Sequence, residues 1–140
     1  MRYQDMAALW ADHPRFDENT RAEVRALFGD SDELLSRFGR ELAFGTGGMR
    51  GLRGTGTNRM NRYTVARVSQ GLAAYLLERG GQSVAIAYDS RIGSREFALV
   101  TAGVLAHNGI RAWCFDRLMP TPVLSFAVRE MGCDAGVMIT

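Results

Sequence analysis

The fold is decided by the stretch VAIAYDSR, residues 84–91, in which five apolar residues run directly into polar ones. Apolar and polar positions do not alternate from Val84 to Tyr88, which is typical of a strand buried on both faces of a sheet. Asp89 opens a short polar loop, and the residues after Ser94 have the apolar periodicity of a helix. A buried strand, a loop and a helix form the repeating unit of α/β folds.

The same unit recurs along the chain. Residues 110–115 and 135–139 predict two more buried strands, and Thr121-Pro122 begins the helix between them. Upstream, residues 42–44 predict a first strand and residues 61–79 a long helix. Because crossovers between parallel strands are right-handed, we expect a three-layer α/β/α fold with a mostly parallel four-stranded sheet.

The first 38 residues have a different pattern, that of short helices. Thr20 followed by Glu23 matches a capping box, Gly29 ends a helix, and Ser31 begins another. We therefore expect a short N-terminal helical extension at residues 1–38 and an α/β domain at residues 39–140.

Length and composition favour a globular domain that works in the cytoplasm. The 140 residues suffice for one compact domain, and 46% hydrophobic with 23% charged residues argues against disorder. No apolar run is long enough to span a membrane, and the N-terminus lacks the pattern of a secretory signal. Cys114 and Cys133 show neither disulfide nor metal-site spacing, so we interpret them as reduced thiols.

All 17 basic residues are arginine, although the net charge is only +2. Arginine offers a planar, permanently charged fork that suits phosphate and carboxylate groups. The absence of lysine excludes Schiff-base chemistry and a P-loop lysine within these residues. The nearly neutral balance, with aromatic residues away from the basic loop, argues against a nucleic-acid partner.

Ligands of open parallel sheets bind at the carboxyl ends of the strands, where two loops here carry arginine. The glycine-rich loop, residues 45–58, combines six glycines with Arg50 and Arg53, and the second loop has Asp89 and Arg91. Glycines allow close approach of the backbone, and arginines bind phosphate in a bidentate way. The loops therefore predict an anionic ligand, most simply a phosphate ester.

Simpler interpretations of these residues stay open. The glycines equally suit a flexible surface loop, and Asp89 with Arg91 suits a turn containing an ion pair. The glycine spacing fits neither a P-loop nor a dinucleotide fingerprint. Three arginines, the first of them in the glycine-rich loop, are interpreted as solvated surface charges: Arg53, Arg62 and Arg95.

The motif FGTGGMRG, residues 44–51, resembles the opening motif of the α-D-phosphohexomutases, the phosphoglucomutase and phosphomannomutase superfamily. The N-terminal helices are similar to those of the branch with phosphopentomutase-type enzymes. One mild departure is the Gly-Met pair at residues 48–49, where that branch often has another small residue and leucine. Four further motifs continue the match in order: residues 56–61, 88–91, 120–122 and 135–140.

The resemblance implies a phosphosugar mutase that interconverts 1-phospho and 6-phospho (or 5-phospho) sugars. In that family a strand ending like Ile139-Thr140 runs into Ala-Ser-His-Asn-Pro, whose serine is phosphorylated and transfers its phosphoryl group through a sugar bisphosphate. We therefore expect the phosphoserine just beyond Thr140, no catalytic residue within this chain, and no activity from these 140 residues alone.

The resemblance also implies site residues, cofactors and partners. Arg50 is the best candidate for contacting the phosphoserine or the transferring phosphate. The expected cofactors are Mg²⁺, with ligands outside this chain, and a sugar bisphosphate activator. The expected partners are a phosphorylated sugar and the remaining domains of the same protein. Five more residues would line or support the site: Thr46, Asn58, Arg59, Asp89 and Arg91.

An alternative function is a stand-alone α/β module that holds a phosphate ester without catalysis. A stand-alone module is expected to end on a solvated tail or helix, whereas this chain ends on an apolar strand at residues 136–139, which favours the first domain of a longer enzyme. An unprotected last strand would expose an edge that can pair with another chain, so we also expect these residues to associate with themselves.

Overall fold

The computed structural model describes all residues from Met1 to Thr140. None of its helices combines the length and apolarity that a membrane span requires. The helices are α1 (Tyr3–Asp12), α2 (Glu18–Ala26), α3 (Ser31–Phe38), α4 (Arg62–Glu78), α5 (Ser94–His107) and α6 (Thr121–Glu130). The strands are β1 (Phe44–Gly45), β2 (Gly48–Met49), β3 (Ser83–Tyr88), β4 (Arg111–Cys114) and β5 (Ala135–Ile139).

The chain divides into two compact units, Met1–Thr64 and Val65–Thr140. The glycine-rich loop therefore lies in the same unit as the three N-terminal helices. The expected domain boundary at residue 38 remains a prediction.

The second unit contains the parallel sheet, in the order β4-β3-β5. Val84 of the central strand lies opposite Ala112 of β4 and Ala135 of β5. Residues 84–88 are all buried, which explains why apolar and polar positions do not alternate there. The predicted α/β class with a parallel sheet is confirmed, but the sheet has three strands instead of four.

Helices cover both faces of this sheet, as expected. On one face, residues of α4 and α5 such as Ala73, Leu76 and Leu105 pack with Val84 and Ile86. On the other face, Leu124 of α6 packs with Ala85 and Ala87. The second unit thus has the α/β/α layering that the sequence predicts.

The missing strand is the one predicted at residues 42–44. Phe44 and Gly45 instead pair antiparallel with Met49 and Gly48 in a two-stranded hairpin. The chain reverses at Thr46-Gly47, next to Gly48 with its φ of 111°, so this short apolar segment pairs with its own neighbour instead of with the parallel sheet. Phe44 is 69% exposed, which confirms that it does not belong to a buried sheet.

The first unit has its own core, built from α1, α2 and α3. Trp10, Val24, Leu34 and Phe38 are buried together, with Tyr63 packed against them. The predicted N-terminal helical segment is therefore confirmed, with α2 ending before Gly29, whose φ of 109° requires glycine.

The predicted capping box at Thr20 is wrong. Asp17 caps α2 by accepting the N–H of Thr20 at 2.9 Å, so Thr20 lies inside the helix. Asp17 also accepts the hydroxyl of Tyr63 at 2.7 Å, a contact 46 residues away that no local pattern contains. Glu23 likewise bonds to Thr55 instead of to a helix end.

Candidate active site

The hairpin formed by β1 and β2 presents the turn Thr46-Gly47 at its tip, with Thr46 exposed. Gly48 has a φ of 111°, a conformation that L side chains rarely adopt. The first turn of the glycine-rich loop is therefore a defined hairpin, whereas the sequence also allowed a flexible loop.

Arg50 follows β2 directly and lies over that turn. A Cβ atom on Gly47 would be 3.6 Å from Nη2 of Arg50, so the guanidinium lies near the turn. Arg50 is exposed, and no carboxylate forms an ion pair with it. An unpaired guanidinium beside exposed backbone and a hydroxyl can accept a phosphate group in a bidentate way.

Asn58 and Arg59 are directed elsewhere, to the C-terminal end of α3. The side-chain amide of Asn58 donates to the carbonyl oxygen of Ser36 at 2.9 Å. Nη1 of Arg59 donates to the same carbonyl at 3.1 Å, and Nη2 donates to the Ser36 hydroxyl at 2.7 Å. These bonds satisfy carbonyl groups that a helix end leaves without partners.

Arg59 is therefore buried, and its guanidinium forms hydrogen bonds within the protein. Only 8% of Arg59 is exposed, and its guanidinium bonds to Ser36 and to the carbonyl oxygen of Asn58. Of the two roles that the resemblance implies for Arg59, lining the site or supporting it, this geometry favours support.

Asn61 closes the loop, a role that the sequence analysis did not identify. Its side-chain amide donates to the carbonyl oxygens of Gly54 and Gly56, both at 2.9 Å. Its side-chain oxygen accepts the N–H groups of Tyr63 and Thr64 at 3.0 Å, which caps the start of α4. The available signal was asparagine just before a helix, since this residue type is preferred at N-caps.

Asp89 and Arg91 lie in the second unit, after β3. Oδ1 of Asp89 accepts the N–H of Arg91 at 3.0 Å and the hydroxyl of Ser94 at 2.8 Å. Oδ2 accepts the hydroxyl of Thr140 and lies 3.7 Å from Nε of Arg91. The predicted turn with an ion pair is thus present, and the Arg91 side chain is mostly exposed.

The hydrogen bond from Thr140 is the main cause that lowers the pKa of Asp89 from its ordinary value of 3.8. The bonds from Ser94 and from the Arg91 N–H, together with the Arg91 charge, act in the same direction and outweigh burial. Asp89 therefore stays ionised and joins the end of β3 to the end of β5. A second bond supports this join, from the Asp89 N–H to the carbonyl oxygen of Ile139 at 3.1 Å.

The structure thus separates the six predicted residues into three places. Thr46 and Arg50 are together at the hairpin, Asn58 and Arg59 are together at the end of α3, and Asp89 with Arg91 follows β3. The first two pairs belong to the first compact unit and the third belongs to the second.

No group of three or more His, Cys, Asp or Glu side chains is arranged to hold a metal ion. The acidic residues described above are each committed to hydrogen bonds or ion pairs: Asp17, Glu23 and Asp89.

The sequence profile described as phosphoglucomutase/phosphomannomutase, alpha/beta/alpha domain I, matches residues 41–140. Three relatives illustrate the similarity. A phosphoglucomutase of Staphylococcus haemolyticus is 46% identical over 104 residues, 74% of this chain and 19% of that protein. A probable phosphoribomutase of Schizosaccharomyces pombe is 42% identical over 130 residues, 89% of this chain and 22% of that protein.

A phosphoglucomutase of Staphylococcus aureus is 43% identical over 120 residues, 84% of this chain and 22% of that protein. No solved structure gives a significant match. The chain spans about a fifth of the length of the curated relatives that it matches. Because the profile covers residues 41–140, well over half of the chain, this protein belongs to the phosphoglucomutase/phosphomannomutase family, with those residues forming the family's domain I.

Proposed function

We propose that this chain is the first domain of a phosphosugar mutase that interconverts 1-phospho and 6-phospho (or 5-phospho) sugars. The observation that carries the proposal is Arg50, an unpaired guanidinium on the hairpin turn of a domain matched to this family. The names of the relatives, phosphoglucomutase and phosphoribomutase, support a phosphorylated sugar as the substrate.

In this proposal a serine following Thr140 carries the phosphoryl group in the whole protein. It transfers the group to the free hydroxyl of a sugar phosphate, and the resulting bisphosphate returns its other phosphoryl group to the serine. A sugar bisphosphate therefore serves as the activator, because it can phosphorylate the serine of an unloaded enzyme.

Arg50 contributes fixed positive charge beside the moving phosphoryl group. Phosphoryl transfer is catalysed mainly by positioning and by electrostatic stabilisation of the phosphoryl oxygens. Thr46 lies on the same turn and supplies a hydroxyl. Asn58 and Arg59 support the loop from the end of α3, as their bonds to Ser36 indicate.

Asp89 has a separate role in the proposal. Its carboxylate accepts the Thr140 hydroxyl and so fixes the end of β5, from which the proposed serine would follow. Arg91 supports the ionised state of Asp89 through its N–H and its charge. Mg²⁺ is proposed for the whole protein, with ligands outside these residues, and no step described here passes through it.

The experiment is a mutase assay on the product of the complete reading frame, with glucose 1-phosphate and ribose 1-phosphate compared as substrates. We expect conversion of at least one of them and a phosphorylated serine in the peptide that follows Thr140. Residues 1–140 alone should convert neither. A whole protein that binds these sugar phosphates without converting them would contradict the mutase proposal and favour the stand-alone binding module.

A further inference from the structure

The three N-terminal helices precede the family match, which begins at residue 41, yet they share a compact unit with the glycine-rich loop. Arg37, in the last turn of α3, is the residue of these helices that bonds most extensively to the loop. Its side chain is only 19% exposed, although it carries a permanent charge. Such a charge must be compensated by partners.

Two glutamates compensate Arg37. Its Nε donates to Oε1 of Glu33 at 2.7 Å, one turn earlier on α3. Its Nη1 donates to Oε1 of Glu23 on α2 at 3.0 Å. The guanidinium is therefore held in one orientation between two helices. Its remaining N–H groups can donate hydrogen bonds to a third segment.

That third segment is the loop at Thr55. Nη1 of Arg37 also donates to the carbonyl oxygen of Thr55 at 3.3 Å, and the Thr55 hydroxyl donates to Oε2 of Glu23 at 2.5 Å. Thr55 is only 6% exposed. The Arg37–Glu23 pair thus satisfies both the carbonyl and the hydroxyl of one buried loop residue.

The backbone of Arg37 holds the next residues of the loop. Its carbonyl oxygen accepts the N–H of Asn58 at 2.9 Å. Gly56 packs so closely that a Cβ atom there would lie 2.6 Å from this oxygen. Main chain and side chain of Arg37 therefore contact Thr55, Gly56 and Asn58, whereas the hydroxyl of Thr57 donates to the carbonyl oxygen of Arg40 at 2.8 Å.

We infer that Arg37 is a positioning residue for the glycine-rich loop, acting with Glu23 to hold residues 55–58 against α3. This inference rests on the proposed function for its purpose, since a held loop keeps Arg50 and the hairpin turn preorganised for a phosphate. Arg37 itself does not contact the reacting group in this account. The N-terminal helices thereby take part in positioning the glycine-rich loop.

The experiment compares amide hydrogen exchange in the 140-residue chain and in its Arg37→Met variant. The reporters are four backbone amides that donate hydrogen bonds within the loop or between the loop and its neighbours. They are the amides of Leu42, Gly54, Asn58 and Met60. We expect about tenfold faster exchange at these amides, the effect of losing a charge-assisted hydrogen bond. Amides of the parallel sheet should keep their wild-type rates.

Arg25→Met is the matched control. Arg25 lies on α2 and forms an ion pair with Glu18 at 3.5 Å. Its replacement therefore removes one helix arginine and one ion pair but no hydrogen bond to the glycine-rich loop. Equal loop exchange in Arg37→Met and Arg25→Met would overturn the inference. Thr55→Val is a milder second variant, expected to speed exchange at the same four amides because it removes only the hydroxyl bond to Glu23.

A phosphate titration separates this inference from the proposed function. The probe is inorganic phosphate, followed by the shift of the Arg50 side-chain N–H signal. We expect Arg37→Met to raise the dissociation constant about tenfold while Arg25→Met leaves it unchanged. If the wild-type chain does not bind phosphate, the proposed function is contradicted and the exchange result still stands. If the wild-type chain binds phosphate and the Arg37→Met variant binds it equally well, the positioning role is contradicted.

Discussion

Arg50 and Arg59 carry the same guanidinium in opposite surroundings. Arg50 is exposed, without an ion pair, on the hairpin turn, whereas Arg59 is 8% exposed and bonded to Ser36. The first can receive a ligand, and the second maintains the loop. The two arginines of one loop therefore have different physical roles, which their residue type alone does not reveal.

The glycines and arginines of the loop predicted an anionic ligand from a local pattern, and the family resemblance implied Arg50 as the phosphate contact. The sequence could not predict the burial of Arg59, because the Ser36 atoms that hold its guanidinium lie 23 residues away. The same holds for Glu23, whose bond to Thr55 crosses 32 residues. Contacts between residues far apart in the sequence therefore decide which side chain of a motif is free to bind a ligand.

Gly56→Ala adds one Cβ atom where the glycine-rich loop contacts α3, and so tests that contact. Gly56 has a φ of 129°, and its added Cβ would lie 2.6 Å from the carbonyl oxygen of Arg37. We expect a loss of about 2 kcal/mol or more in the free energy of unfolding, from backbone strain and overpacking. Urea denaturation measures this loss.

Gly71→Ala is the matched control for that substitution. Gly71 lies in α4, where an added Cβ meets nothing within 4 Å. Because alanine is the better helix former, we expect this variant to gain up to about 1 kcal/mol. Equal effects of the two substitutions would show that the loop is not packed against α3 as described.

At the scale of elements, the three parallel strands and the helices were predictable, and the hairpin was not. Burial was predicted correctly for β3, whereas β4 and β5 at the edges of the sheet are only partly buried. An uninterrupted apolar run such as residues 84–88 can be satisfied only inside a sheet, so its place follows from its composition. Residues 42–44 form a run of only three, followed by glycine. Whether such a segment pairs with a distant strand or with its own neighbour depends on the turn, and here it turns back at Thr46-Gly47.

Acid should destabilise the helix and strand ends whose backbone or hydroxyl groups donate hydrogen bonds to carboxylates. The N–H of Thr20 is the main cause that lowers the pKa of Asp17, followed by the Tyr63 hydroxyl. The N–H groups of Gln82 and Ser83 lower that of Asp134, and the Thr140 hydroxyl lowers that of Asp89. A carboxyl with a lowered folded-state pKa stabilises the fold fully above its unfolded value of 3.8, and that contribution is lost as pH falls further.

We therefore expect the free energy of unfolding to decline below about pH 4 in urea titrations across that range. Asp17→Asn keeps a capping oxygen and loses only the charge, so it should cost about 0.3–1 kcal/mol at neutral pH and should show a shallower decline in acid. A decline as steep as that of the wild type would mean that Asp17 does not contribute through its ionised form.

At the scale of the whole molecule, the parallel sheet has two unpaired edges, β4 and β5. β5 pairs with β3 and lies at one margin of the order β4-β3-β5. Its residues Ala135 to Ile139 are apolar, and an exposed strand of this kind can pair with another chain. This geometry supports the expectation that the 140-residue chain associates with itself.

Sedimentation velocity checks that expectation. We predict a sedimentation coefficient that rises with concentration between about 10 μM and about 1 mM, the range in which unpaired edges associate. A concentration-independent monomer across this range would contradict it. The product of the complete reading frame is the natural comparison, since relatives are about five times longer than this chain.

The most direct test of the central claim, that the hairpin turn and Arg50 form a phosphate site, is a titration of the 140-residue chain with glucose 1-phosphate. The Arg50 side-chain N–H signal should shift in a saturable way, and Arg50→Gln should weaken binding about tenfold or more, since charge-assisted hydrogen bonds are lost. Arg53→Gln is the matched control, an exposed arginine of the same loop without an ion pair, and should leave the affinity nearly unchanged. Equal weakening by both substitutions, or no saturable shift, would contradict the account.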